Sequence, residues 1–367
     1  MPRRNCMKRL STAFLIFLLF DISHVARAQE TRWRTFSQEA ISLYKKGEYD
    51  KAVDAVKKSL AVAEKEYGPH HPDTATSLNN LAELYRDHKK FTQAEPLYKR
   101  AAAIREKHFG PDHSLLARTL NGQAELYRAQ SRFGDAEPLY KRALAIREKS
   151  HKSDHPDVTQ TLNNLAELYC VQERYAPAKA LYERLLPIRE KALGSDHPGL
   201  AAGLHNLALI HQNEGRYEQA EPIYKRVLAI REKTLGRNHP DVAQDLSILA
   251  ELYRTQDRYA LAQPLYERSL GILEKVAGRH LDVATILNNL AFIHHKQGQY
   301  AQAEPLYKRA LSICEKSLGV DHPTARITRE NLAGLRIAMD RHTPDDEAGQ
   351  QVAQSRFQWF SNLMGRP

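Results

Sequence analysis

Histidine is the residue type here with the most obvious chemistry. The chain has 17 of them among 367 residues, and a neutral imidazole can ligate zinc-class ions or move protons near neutral pH. Seven, His71, His113, His155, His197, His239, His280 and His322, recur at a nearly constant interval, and five of these are followed by proline. A periodic structural role accounts for that set. Of the others, His294 and His295 are neighbours that would point apart on a helix, and the six-residue gap from His205 to His211 puts that pair out of register. No metal site is expected from either pair. The sequence contains no His-Glu-x-x-His pair, phosphate-cradling glycine loop, dinucleotide fingerprint or nucleophile elbow. Cys170 and Cys314 are far apart in sequence and are read as unpaired. Glu95 with Lys99, Glu137 with Lys141, Glu221 with Lys225 and Glu304 with Lys308 are i,i+4 pairs in the favourable order, which marks solvated helix faces. Neither an enzyme nor a cofactor is expected.

The interval itself is the stronger signal. His71, His113, His155, His197 and His239 stand 42 residues apart, His280 comes one residue early, and His322 resumes the step. Arg-Glu-Lys falls on the same ruler at 105–107, 147–149, 189–191 and 231–233. Within one unit Leu78, Leu81, Ala82 and Tyr85 form an i, i+3, i+4, i+7 stripe, which predicts helix A from about Pro72 to His88. Pro72 suits the first turn, and Asp73 complements the positive end of the dipole. Phe91, Ala94, Tyr98, Ala101 and Ile104 carry a longer helix B to Gly110, a residue able to adopt the left-handed conformation that ends helices. Pro187, in the helix B of its unit, predicts a kink, and irregularity is expected over 176–188 and 278–282.

The small and aromatic positions Ala82, Tyr85, Phe91, Ala94, Tyr98 and Ala101 resemble the tetratricopeptide pattern, and the 42-residue period resembles the kinesin-light-chain variety of it. Leu-Asn-Asn-Leu-Ala at 78–82 and 162–166, and Arg-Glu-Lys-Thr-Leu-Gly-Arg-Asn-His-Pro at 231–240, carry that likeness, which covers residues 33–340. It implies an all-α fold: a right-handed α-α superhelical solenoid of about seven helix pairs, at 33–67, 72–109, 114–151, 156–193, 198–235, 240–277 and 282–318, with a capping helix at 323–340. It also implies a concave groove, lined mainly by helix A, that takes short peptides with aromatic and acidic residues.

If the apolar stripe is buried, the outward strip of the second pair is Asn79, Glu83 and Arg86, with Asn80 beside it. It recurs as Asn121, Glu125 and Arg128, as Asn163, Asn164 and Glu167, as His205 and Asn206, as Glu251 and Arg254, and as Asn288 and Asn289. Asparagine can donate to and accept from a peptide backbone, and arginine offers a fork to carboxylates. Equally, a polar residue repeated in every unit can hydrogen-bond neighbouring repeats; both readings fit. Gly122 and Ile248 replace the second asparagine, and Leu209 and Phe292 replace the neighbouring glutamate, so the groove is not uniform.

The ends carry different information. Residues 1–28 combine a basic start, an apolar run from Leu10 to Phe20 and Ala26-Arg27-Ala28, which predicts a signal peptide cleaved after Ala28 and a periplasmic or secreted protein. An uncleaved anchor is the alternative. Formal charge is +10 for the whole chain, with five cations and one acid in this leader, leaving +6. So mild a basic excess does not suggest a nucleic-acid partner. Residues 341–367 form a tail in which Val352, Phe357, Trp359, Phe360 and Leu363 give a partly amphipathic end, fit either to cap the last repeat or to occupy the groove. The function expected is a non-catalytic interaction scaffold with a protein or peptide partner; an accessory subunit of an envelope enzyme or secretion complex is the alternative.

Overall fold

A computed structural model describes residues 32–341 apart from residues 277 and 279; the proposed leader and the tail beyond 341 lie outside the described residues. Fifteen α-helices and no strand occur among the described residues. The helices divide into two compact units. The first holds α1 (Arg32–Lys45), α2 (Tyr49–Glu66), α3 (Pro72–Asp87), α4 (Phe91–Phe109), α5 (Ser114–Ala129) and α6 (Phe133–Ser150). The second holds α7 (Pro156–Val171), α8 (Tyr175–Leu193), α9 (Pro198–Asn213), α10 (Tyr217–Leu235), α11 (Pro240–Arg254), α12 (Tyr259–Leu273), α13 (His280–Lys296), α14 (Tyr300–Leu318) and α15 (Pro323–Arg341). Odd-numbered helices up to α13 are A helices, each packed on the B helix that follows it.

The recurring histidine starts the A helices. The Nδ1 atoms of His71, His113, His155, His197, His239 and His322 each accept the backbone N–H two residues ahead, at 3.0 to 3.2 Å. An imidazole thus does the work usually given to serine or aspartate, satisfying one of the orphan donors of the first turn. An accepting Nδ1 leaves the ring proton on Nε2, so each cap requires a neutral ring. His280 is the exception: it lies inside the first turn of α13, so the one-residue deletion replaces a cap with a helical residue.

Helix ends follow a related rule. Gly110, Gly194, Gly236 and Gly319 close their B helices at φ 86 to 92° with ψ between 152 and 174°. That is extended in ψ and lies outside the left-handed helical region expected from sequence; a Cβ is excluded from it just as strongly. Helix α8 runs from Tyr175 to Leu193 through Pro187, with Pro177 in its first turn, so the proline does not divide the helix. At the other site of expected irregularity, α12 stops at Leu273 and six residues pass before His280 starts α13, against four between α10 and α11.

From the second pair onward one buried tyrosine per pair fills the A–B interface: Tyr98, Tyr140, Tyr182, Tyr224, Tyr266 and Tyr307 are at most 3% exposed. Fully buried alanines, among them Ala82, Ala94 and Ala101, let the helices approach, and Leu78, Leu162 and Leu287 complete the packing. Burying each such leucine stabilises the fold by about 2 to 3 kcal/mol. The arginine of Arg-Glu-Lys joins one repeat to the next. Arg105, on α4, donates to Thr119 Oγ1 at 2.6 Å and to the Leu115 carbonyl at 2.8 Å on α5, and Arg231, on α10, pairs with buried Asp245 on α11.

Candidate peptide-binding surface

The predicted strip lies on the A helices of both units, and the two units treat it differently. In the first, Asn79 is fully buried and its amide donates to Glu83 Oε1 at 2.8 Å, with Glu83 also buried. Asn121 makes the same contact with Glu125 at 2.8 Å. The glutamates then bind arginines of the other A helix. Arg86 reaches Glu125 at 2.5 Å, and Arg118 approaches Glu83 at 3.6 Å, so α3 and α5 hold each other by reciprocal ion pairs. Arg86 also contacts Asp87 and lies 3.4 Å from the hydroxyl of Tyr98, whose phenol burial pushes well above its usual range. Asn80 and Arg128 are half-buried. The predicted outward row of this unit is therefore largely an interhelix seam.

In the second unit, Asn163 donates to Glu167 at 2.7 Å and Asn164 is buried, close to the pattern of the first. Beyond α7 the pattern changes. Asn206 donates to Tyr182 Oη at 2.7 Å and Asn289 to Tyr266 Oη at 3.1 Å, so both half-buried asparagines reach back to the tyrosine of the preceding B helix. Asn288 accepts from Asn331 at 3.0 Å. Arg254 binds Glu251 on its own helix, at 2.5 and 2.8 Å, and Glu251 also accepts from Tyr266. His205 is half-buried with its ring edge-on to Tyr224, and burial, reinforced by the Arg231 charge, pushes its imidazole down to about 4.

The positions occupied by Glu83 and Glu125 in the first unit become Leu209 and Phe292 here. Leu209 is 37% exposed, and Phe292 is partly buried with the Arg254 guanidinium 5.1 Å and the Lys296 ammonium 5.5 Å from its ring centre. Ile248 is likewise partly buried. These three residues were noted in sequence only as departures from the consensus. For Leu209 and Phe292 the signal was present, since an apolar residue at a consensus acid position has no ion pair to make; Ile248 stands at the second asparagine position.

A partly covered phenylalanine beside an arginine and a lysine, as at Phe292, is the kind of surface that can contact another polypeptide. Comparison with known proteins gives this arrangement a family: the tetratricopeptide repeat profile matches residues 34–107, 89–149, 157–212, 200–275 and 282–344. The chain is a tetratricopeptide repeat protein. Its repeats are similar to those of solved kinesin-light-chain-like proteins. One set, the nearly identical TPR-like repeats of kinesin light chain type from Podosopora anserina, is 26% identical over 57% of this chain and 99% of that one, with a TM-score of 0.50. BtubC (BKLC) from P. vanneervenii is 25% identical over 64% of this chain and 93% of its own, with a TM-score of 0.53. A TPR protein from Cytophaga hutchinsonii, at 14% identity over 79% of this chain and 98% of that one and a TM-score of 0.55, shares the fold. No curated protein sequence matches the chain. Tetratricopeptide repeats are generally non-catalytic scaffolds for protein partners, and no described helix is long and apolar enough to cross a membrane.

Proposed function

We propose that this tetratricopeptide protein is a non-catalytic scaffold that binds a peptide segment of a partner protein, and that the A-helix face of its second unit does the binding. The observation that carries this reading is Phe292 beside Arg254 and Lys296, together with the part-exposed Leu209, at the two positions where the first unit carries the interlocked Glu83 and Glu125. Arginine over an aromatic ring is attractive in itself and still has a donor edge for an incoming carboxylate. Partly exposed leucine and phenylalanine offer a place for an aromatic or aliphatic side chain. The ligand class that fits is a short peptide with an aromatic residue next to acids. We also propose that the chain is exported and starts at Gln29 in its mature form, supported by the basic, apolar and small-residue sequence of residues 1–28.

Fluorescence anisotropy with labelled peptides that place one aromatic residue beside two carboxylates tests the binding. Phe292→Ala and Arg254→Ala are each expected to weaken binding about tenfold, the loss of roughly 1.4 kcal/mol, while Arg86→Ala in the first unit leaves it unchanged. Equal weakening by Arg86→Ala, or no binding of any such peptide by the parent, would reject this surface. N-terminal sequencing of protein from an envelope fraction tests export, with Gln29 as the expected first residue.

A further inference from the structure

The turn leading into α7 carries a group that the peptide surface leaves unused. His151, His155 and Asp157 each present one ligand-capable atom, and the three atoms lie within 4.8 Å of one another. All three residues are half-buried, and the two imidazole rings are stacked with centroids 3.9 Å apart and planes 9° apart.

The repeat makes this cluster unusual. Four residues before each capping histidine the chain places an apolar side chain: Tyr67, Phe109, Leu193, Leu235 and Leu318. Phe109 stacks on His113 at 4.3 Å and 16°, and Tyr67 lies 4.9 Å from His71, so the job of that position is to cover the capping ring. At the third such boundary His151 occupies it. Phenylalanine or leucine meets the packing need equally well; histidine adds a nitrogen donor. Two positions past the cap, Asp157 supplies a carboxylate that Leu115, Gly199 and Thr324 do not at their own boundaries. His70, His71 and Asp73 bring the same residue types to the first boundary, but among the described residues it is His151, His155 and Asp157 whose ligand atoms come within 4.8 Å of one another.

We propose that His151, His155 and Asp157 bind one divalent transition-metal ion of the zinc, nickel or copper class. Two imidazoles and one carboxylate suit these borderline ions and disfavour calcium and magnesium, which take oxygen ligands. Bonds of about 2.0 to 2.1 Å put tetrahedral ligand atoms roughly 3.3 Å apart. Closure from 4.8 Å therefore requires the stacked rings to splay and the Asp157 carboxylate to turn toward them. His155 Nδ1 accepts the Asp157 N–H at 3.2 Å and is also the nitrogen that lies 4.0 Å from the Asp157 carboxylate, so a metal bond at this atom would replace the helix cap. Three protein ligands leave the fourth position to water.

Isothermal titration of the tag-free protein with zinc chloride, and separately with nickel chloride, tests this. His151→Phe restores the residue found at Phe109 and keeps the stacked cover, so the fold is retained; Asp157→Asn removes the carboxylate charge and keeps the side-chain shape. One equivalent of zinc should bind the parent, with affinity at least tenfold weaker in each variant and unchanged helicity by circular dichroism. The imidazole signals of His151 and His155 should shift together on zinc addition. Absence of zinc binding by the parent, or parent-like binding by His151→Phe, would overturn the assignment. Phe292→Ala is expected to leave the zinc isotherm unchanged, which separates this site from the peptide surface.

Discussion

The A-helix faces of the two units use equivalent positions for opposite ends. In the first, Glu83, Arg86, Arg118 and Glu125 are joined across α3 and α5, so the face is closed by its own charges. In the second, Leu209 and Phe292 replace two of the four acids while Glu167 and Glu251 remain, Gln160, Ala202, Gln244 and Thr285 stand where Arg118 stands, and the remaining arginine, Arg254, folds back on Glu251 of its own helix. A repeat backbone constrains where a side chain points but not what it meets. Two or three substitutions per repeat are enough to remove the interhelix ion pairs, and the peptide surface proposed above rests on that difference.

The largest expected effects test the units as separate bodies. Leu78→Ala and Leu287→Ala each delete a fully buried side chain and should cost about 2 to 5 kcal/mol. Native-state hydrogen exchange should show faster opening concentrated in the mutated unit and its nearest repeats, because a repeat array is stabilised by neighbour contacts. Equal acceleration in both units would show them to be one cooperative block.

Acid should act on the second unit through His205. Its folded imidazole titrates at about 4, below the ordinary 6.5. The unfolded chain therefore takes up the proton first, so the contribution is complete above pH 6.5 and is lost as pH falls toward 4. The whole shift corresponds to about 3 kcal/mol. Urea titrations at pH 7.5 and pH 4.5 should show His205→Phe losing less stability than the parent over that interval; parallel losses would mean that this ring does not couple to folding.

Arg86→Ala should destabilise the first unit by about 1 to 3 kcal/mol, since it leaves Glu125 and Asp87 short of their partner in a largely buried seam. Phe292→Ala should cost under about 1 kcal/mol of stability, because the side chain is only partly covered. Denaturant midpoints of the two variants give the comparison directly, and the reverse order would contradict the assignment of seam and face. Smallest is the cap. His113→Ala should cost about 1 kcal/mol, read as faster amide exchange in the first turn of α5, and His280→Ala, which removes no cap, should cost less.

Much of the fold was legible in the sequence. The 42-residue step, the stripe from Leu78 to Tyr85, and the small residues at 82, 94 and 101 are local or nearest-neighbour patterns, and they set helix type, pairing and order. The candidate site was less so. The stripe argument supposes one buried face and one wet face, which suits a helix lying on a surface. An A helix in a stack is covered by its own B helix, by the B helix before it and by the next A helix, so Asn79 and Glu83 are buried although they lie off the apolar stripe. Nor could the histidines be seen as caps, because capping depends on where Nδ1 falls relative to a backbone N–H two residues on.

What the amino-acid sequence determined by itself is therefore the repeat: helices started by histidine and proline, ended by glycine, and paired by alanine and tyrosine. Short-range periodicity is enough for that, because each unit meets nearly the same neighbours. Only the tertiary structure decided which polar residues are sealed in and which remain available. The partners of Glu83, Arg86 and Phe292 come from helices about forty residues away, and their identity depends on the substitutions carried by the neighbouring repeat.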